Sequence, residues 1–329
     1  MILKGKRIIV TGGTGSLGKV LVRRLLTGEL GQPNSIVVFS RDEAKQHDMR
    51  LQYKNRRVST DEVVYHNFNE LLEFVIGDVR DYHAVASVLR DADVVFNSAA
   101  YSQVDIAEKE PQAAFLVNGL AVRNLALACR QMDARLVHFS TDYVFDGRAH
   151  HPYTEDDPTH PLGAYAVSKL AGELYAQAYL DRATVVRTSG VFGPGGLHTA
   201  RRNFVELMLR LAGAGQPIRV VEDHVASPTY APLLAARTID LVDRDLDGVF
   251  HIGGGTPISW FQFARTIFQV AQLEPLLLAT NEREYCTAAH RPKYSALSNA
   301  KIERVGLDPL PPLQQAVELY FAARPPVKP

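Results

Sequence analysis

An α/β fold, built on a doubly wound parallel sheet with a smaller mixed α/β lobe after it, is predicted by three observations. Short apolar runs alternate with amphipathic helical runs from residue 7 to residue 187, the pattern of strands joined by right-handed helical crossovers. A glycine-rich turn sits between the first strand and the first helix. After Arg187 the alternation gives way to loops, short helices and isolated strands.

In order, Arg7-Ile8-Ile9-Val10-Thr11 reads as the first strand, and Leu17, Val20, Leu21 and Leu25 repeat at helical spacing after it. Between them, Gly12, Gly15 and Gly18 permit a tight turn, close approach of a diphosphate and close helix-to-strand packing, with free N–H groups at the helix start. This strand, turn and helix points to a Rossmann-type dinucleotide site. The second strand, Ile36 to Ser40, ends at Arg41, where an NAD-preferring site carries an acidic residue on the ribose. Ser40 and the Arg41 guanidinium suit a 2'-phosphate instead, which favours NADP(H) over NAD(H).

A helix is expected over 43–53, and 54–70 carries no assignment. The third strand, Glu73 to Ile76, runs into Asp78, placed either to accept a hydrogen bond from an adenine amine or to cap a helix. Val94 to Asn97 is the fourth strand, followed by the small residues Ser98, Ala99 and Ala100. A long helix over 111–131 carries Asn118, either a bridge to the site or a helix-face amide. Arg135 to Ser140 is the fifth strand and delivers Thr141 at its carboxyl end, the edge where ligands sit in open parallel sheets. Tyr165 and Lys169 then open a helix to about residue 180, one turn apart on one face. An ammonium there is expected to lower the tyrosine pKa from about 10 toward the range of a working proton donor. Thr184 to Arg187 is a further strand. Residues 204–211, 232–242, 260–271 and 312–322 read as helices and 218–221 and 248–252 as strands. The division expected is 1–187, a dinucleotide-binding domain with later strands interleaved, and 188–329, a substrate lobe.

Composition narrows the function. The 329 residues are 46% hydrophobic and 22% charged, with 36 basic and 36 acidic side chains. That balance offers no net charge to recruit nucleic acid or an acidic membrane surface. Neither a leader nor an apolar run of membrane-spanning length is read from the chain. The two cysteines, Cys129 and Cys286, lack metal or redox spacing, and His150-His151 lacks completing ligands, so no metal is expected. A cytoplasmic location follows from this reading.

The motifs together resemble the extended short-chain dehydrogenase/reductase family and, within it, the dTDP-4-dehydrorhamnose reductases. The resemblance rests on Thr11 to Gly18, Ala99-Ala100-Tyr101, Val117-Asn118, Ser140 to Gly147, Pro152-Tyr153, Tyr165 to Lys169 with Gly172-Glu173, Arg187-Thr188-Ser189, Ser227 to Tyr230, and Arg291-Pro292 with Ser295 and Leu297. It implies Thr141, Tyr165 and Lys169 as the catalytic trio, with Thr141 supplying its hydroxyl to the carbonyl oxygen that Tyr165 protonates. It implies Gly12, Thr14, Gly15, Ser16, Leu17, Gly18, Ser40, Arg41, Asp78, Val79, Ala99, Ala100, Tyr101, Tyr165 and Lys169 along the cofactor. Val104, Thr141, Asp142, Arg187, Asn203 and Arg291 are implied at the substrate, with Arg201 and Arg202 as further candidates for its diphosphate.

The activity implied is NADPH-dependent reduction of the C4 ketone of a nucleoside-diphosphate 4-keto-6-deoxy sugar, in deoxysugar or surface-polysaccharide biosynthesis, by a homodimer. The first 100 residues look more like the capsular-polysaccharide 4,6-dehydratase/epimerase branch. Gly190 stands where the rhamnose-forming reductases carry a bulky aromatic, and His224 with Ala226 replace a Gln and a Gly. The alternatives are a 4,6-dehydratase or epimerase with tightly held NADP, and a non-catalytic regulatory subunit. Against the first, Asp142 is followed by Tyr143 rather than by a second carboxylate. Against the second, Tyr165 and Lys169 are both present.

Overall fold

A computed structural model describes residues 3–54, 62–196 and 203–324. Its strands, in chain order, are β1 (Arg7–Thr11), β2 (Ser35–Ser40), β3 (Leu72–Ile76), β4 (Val94–Asn97), β5 (Arg135–Thr141), β6 (Ala183–Thr188), β7 (Ile218–Val221), β8 (Val225–Ala226), β9 (Gly248–His251), β10 (Ile258–Ser259) and β11 (Leu277–Thr280). Seven of them form one parallel sheet in the order β3-β2-β1-β4-β5-β6-β9. The order reverses between β1 and β4, and the crevice outside the carboxyl ends of such strands is where ligands bind in open α/β sheets.

Alternation along the strands fills two layers. Ile8 and Val10 point to one core, with Leu21, Leu25, Leu234 and Ile239, while Ile9 points to the other, with Val122, Leu125 and Ala176. The first layer is covered by helices Ser16–Leu26 and Ala231–Asp243, the second by Tyr82–Val88, Pro111–Met132 and Ala164–Tyr179. β9 joins β6 in parallel, Val185 opposite Val249. The remainder of the second half packs around Phe192, Phe263, Ile267, Val317 and Tyr320. There β7 pairs with β11 and β8 with β10.

Helix Pro111–Met132 is long and apolar enough to pass a length-and-composition test for a membrane span, with a hydropathy of 1.2, contrary to the sequence reading. Just over half of that window, 56%, is buried inside the protein, as in a core helix. A π-helical turn, Leu116–Leu120, interrupts it and carries Asn118, a local widening that often marks a functional site. The unassigned stretch contains helix Glu62–Leu71. Val64, Phe68 and Leu71 are its buried apolar residues, an i, i+4, i+7 spacing that sequence reasoning overlooked.

Candidate active site

The glycine turn forms the floor of a groove of about 570 Å³ along the ends of β1, β2 and β4. Gly12 has φ +63, and a Cβ there would lie 2.6 Å from the Ala99 nitrogen. A Cβ on Gly18 would lie 2.4 Å from the Gly12 carbonyl, so this glycine sets the packing of helix on turn. Gly15 caps helix Ser16–Leu26 without a side-chain hydrogen bond, leaving the first N–H groups available to an anion. Gly12, Thr14, Gly15, Ser16, Ser40, Arg41, Val79, Ala99 and Ala100 line the groove as expected. Asp42, Lys45, Ser98, Ser102 and Gln103 line it as well and were not anticipated. Leu17, Gly18, Asp78, Tyr101, Tyr165 and Lys169, also expected along the cofactor, do not line the groove. A glycine cradle, a helix amino terminus and a half-exposed guanidinium fit a dinucleotide with a phosphorylated ribose.

Asp78 is held by cations. Arg80 grips its carboxylate with Nε and Nη2 at 2.9 and 2.6 Å, and Arg41 Nη1 stands 3.5 Å away. Partial burial raises its pKa, but the Arg80 hydrogen bonds and the two positive charges outweigh that and lower it. The helix cap is Asp81, which accepts from the His83 and Ala84 amides. Asp78 therefore orients Arg41 at the groove edge, a role neither sequence alternative named. Asn118 is the bridge. Its amide oxygen accepts from the Tyr101 N–H at 2.8 Å, and its nitrogen donates to the Tyr101 carbonyl and to Ser168 Oγ. This ties the loop after β4 to the helix carrying Tyr165.

Thr141, Tyr165 and Lys169 converge at the end of β5, Thr141 and Lys169 nearly sealed from solvent and Tyr165 partly exposed. The Tyr165 hydroxyl is hydrogen-bonded to Thr141, and its ring meets Tyr143 edge-on at 6.3 Å between centroids. The expected lowering of the phenol by Lys169 is not what the geometry gives. Burial, then the Asp142 charge, raise Tyr165 to about 12. The i, i+4 spacing does place both residues on one helix, but the ammonium donates to the Phe139 carbonyl of β5. Burial lowers Lys169 to about 8, opposed by Glu173 one turn further on. Beneath the trio, Thr11 Oγ donates to Asn97 Oδ1 at 2.6 Å, and Asn97 Nδ2 reaches His138 Nδ1 at 3.0 Å. Burial, then the Lys169 charge, push His138 well below its usual range, so it is neutral.

Beyond Tyr143 lies a cavity of about 330 Å³ walled by Asp105, Tyr143, Phe204, Arg219, His224, Trp260, Glu282, Tyr285 and Arg291. Arg291 Nη2 is 2.7 Å from Asp105 Oδ2, and Arg291 also hydrogen-bonds the Tyr143 phenol. A Cβ on Gly190, whose φ is +49, would come within 3.2 Å of the Trp260 indole. Trp260 thus occupies the space beside Gly190 from a different element.

Three residues expected at the substrate have other attachments. Arg187 is 5% exposed, and its Nε and Nη2 bind both Glu173 oxygens at 2.8 to 3.1 Å. Its guanidinium lies over the Phe145 ring, inside the protein. Asn203 caps helix Phe204–Gly213 by accepting from the Glu206 N–H, and its amide donates to the Gly193 carbonyl at 3.0 Å. Asp142 accepts from Thr141, Ser189 and Ser295 at 3.1, 2.7 and 2.5 Å. Val104 begins helix Val104–Ala107 and lies outside the cavity wall, where its neighbour Asp105 stands instead. Arg201 and Arg202 lie outside the described residues. Asp105 and Arg219 were missed. Nothing local signals Asp105, whose partner lies 186 positions away. Arg219 had a signal in the Arg inside an apolar strand run.

Comparison with known proteins agrees with this architecture. The family described as RmlD substrate binding domain matches residues 6–324. The spore coat polysaccharide biosynthesis protein SpsK of Bacillus subtilis (strain 168) is 35% identical over 303 residues, covering 92% of this chain and 93% of that protein. The dTDP-4-dehydrorhamnose reductase of Mycobacterium tuberculosis (strain H37Rv) is 38% identical over 252 residues, covering 75% and 82%. Among solved structures, dTDP-4-dehydrorhamnose reductase from Bacillus anthracis str. Ames, in complex with NADP, superposes with a TM-score of 0.78 at 29% identity, covering 97% of this chain and 99% of that one. Matched over nearly its whole length, the chain belongs to the RmlD substrate binding domain family.

Proposed function

We propose that the protein is an NADP-dependent reductase that converts the C4 ketone of a nucleoside-diphosphate 4-keto-6-deoxy sugar to an alcohol. The observation that carries this is a protonated phenol, Tyr165, hydrogen-bonded to Thr141 at the end of β5 and in edge-on contact with Tyr143 of the arginine- and aromatic-lined cavity, in a chain that also carries a groove suited to a phosphorylated dinucleotide. The relatives named dTDP-4-dehydrorhamnose reductase and the relative solved with NADP support it.

When bound, NADPH supplies the hydride. Gly12, Gly15 and the amino terminus of helix Ser16–Leu26 would hold its diphosphate, and Arg41, steadied by Asp78, would pair with the 2'-phosphate. Tyr165 donates its proton to the developing C4 alkoxide. Lys169, 3% exposed with a pKa near 8, carries its charge at neutral pH and would offer its remaining N–H donors to the nicotinamide ribose. Arg291 and Arg219 in the cavity wall suit a substrate diphosphate, and Tyr143, Trp260 and Phe204 offer apolar faces suited to the sugar and base. The expected division at 187 holds for the dinucleotide groove, lined from the first half alone, but the sugar-nucleotide cavity draws Asp105 and Tyr143 from 1–187 together with residues of 188–329.

A panel of enzymatically generated 4-keto-6-deoxy sugar nucleotides is the direct assay. NADPH oxidation with at least one member, and no keto product from a 4-hydroxy sugar nucleotide in the absence of NADPH, is the expected result. Keto product without added NADPH points to dehydration and sinks the reductase reading.

Helices Pro111–Met132 and Ala164–Tyr179 together expose Phe115, Leu116, Val167 and Leu174, a shared apolar face beside a shallow groove. That face fits a second copy of the chain, as a homodimer. Light scattering of the purified protein at twice the chain mass of 36.4 kDa is expected; a single-chain mass rejects the pairing. The nucleotide-sugar chemistry and two free thiols fit the cytoplasm.

A further inference from the structure

Asp142 is 3% exposed, yet among the described residues it has no cation as partner. Its hydrogen bonds come from three hydroxyls on three separate parts of the chain. Oδ2 accepts from Ser189, just past β6, at 2.7 Å and from Ser295, in the loop after β11, at 2.5 Å. Oδ1 accepts from Thr141 at 3.1 Å. The Thr141 oxygen in turn accepts from the Tyr143 N–H at 3.2 Å and is hydrogen-bonded to Tyr165.

Counting protons fixes the directions. A threonine hydroxyl has one proton and two lone pairs. With that proton on Asp142, Thr141 has only lone pairs left, and one of them faces the Tyr143 amide. Its contact with the phenol is then one in which Tyr165 donates. This differs from the expectation that Thr141 offers its own proton to the ketone oxygen.

We propose that Asp142 is a positioning residue for the reduction: by taking the Thr141 proton it makes that hydroxyl an acceptor, which holds the Tyr165 O–H aimed and loaded until a ketone takes its place. The two serine hydroxyls keep the carboxylate from turning away. Burial raises Asp142 to about 6, so it is an acceptor at neutral pH. Its negative charge also raises Tyr165, which keeps the phenol in the protonated form that reduction consumes.

The inference rests on Tyr165 as the proton donor, and a double-mutant cycle separates the two claims. Asp142→Ala is expected to lower kcat by about tenfold to a hundredfold, the scale of a mis-set catalytic group, with KM for the sugar nucleotide and affinity for NADPH within about threefold. Asp142→Asn keeps a carbonyl oxygen for Thr141 and is expected to restore kcat to within about fivefold of the parent. In a Thr141→Val background, Asp142→Ala is expected to add no further loss, since the two act through one contact. Additive losses, or a raised KM with unchanged kcat, overturn the proposal. Should Asp142→Ala not fold, Ser189→Ala with Ser295→Ala frees Oδ2 and leaves Thr141 in place. A kcat drop at constant KM is then expected, and no drop overturns the proposal. If Tyr165→Phe is inactive while the cycle is additive, only the role of Asp142 fails; an active Tyr165→Phe fails the reading beneath it.

Discussion

Tyr165→Phe is expected to lower kcat roughly a thousandfold, inside the span attributed to a positioned general acid, while NADPH affinity stays close to that of the parent. The substitution keeps the ring that packs edge-on against Tyr143 and removes only the hydroxyl joined to Thr141. Arg41, the glycine turn and the helix amino terminus line a groove that Tyr165 does not, and are untouched. The raised phenol pKa also sets the sign of the pH dependence. With a value near 12, Tyr165 stays protonated through the neutral range, so the reduction should lose nothing to ionisation of the donor between about pH 6 and pH 9. Steady-state kinetics with fluorescence titration of NADPH checks both parts, and substantial retained turnover would falsify the assignment.

The second large effect is on stability. Glu173→Ala leaves the Arg187 guanidinium buried without its carboxylate, in a pair whose side chains are 6% and 1% exposed. Removing one partner of a buried ion pair costs about 3–5 kcal/mol. Ser140 also loses the acceptor for its hydroxyl, next to Thr141. Urea unfolding should show a lower midpoint at unchanged slope. Joint replacement, Glu173→Leu with Arg187→Met, should recover most of the loss, because two apolar groups of similar volume leave no charge stranded. An Arg187 that bound the substrate diphosphate would behave otherwise: its loss would raise KM and leave the unfolding midpoint in place.

The contrast between these two residues shows what the chain discloses by itself. Tyr165 was legible because its chemistry is local: a strand ending at Thr141, then a helix with Tyr and Lys one turn apart. The main-sheet strands were legible for the same reason, since alternation along β1 is written in five consecutive residues. Arg187 was misassigned because its partner is set by the packing of helix Ala164–Tyr179 against β6, and a buried arginine at a strand end reads in sequence like one facing a ligand. The Lys169 ammonium was placed on the correct helix, but which acceptor it reaches depends on the Phe139 carbonyl, a backbone group with no sequence signature. Asp105 and Arg291 face each other across the cavity wall with no periodicity to connect them. Helix Glu62–Leu71 did carry a pattern, hidden by the polar residues interspersed with Val64, Phe68 and Leu71.

The place of β9 in the sheet has a bearing on how the protein is made. Its four residues zip onto β6 after some sixty intervening positions, and Arg135 at the foot of β5 is clasped by Asp245 and Asp247 just ahead of them. A nascent chain that has emerged only as far as Arg187 has synthesised every group of the Tyr165 trio, yet lacks the outer strand and the acidic clasp that steady them. Translation must run well into the second half before the first half has its final border.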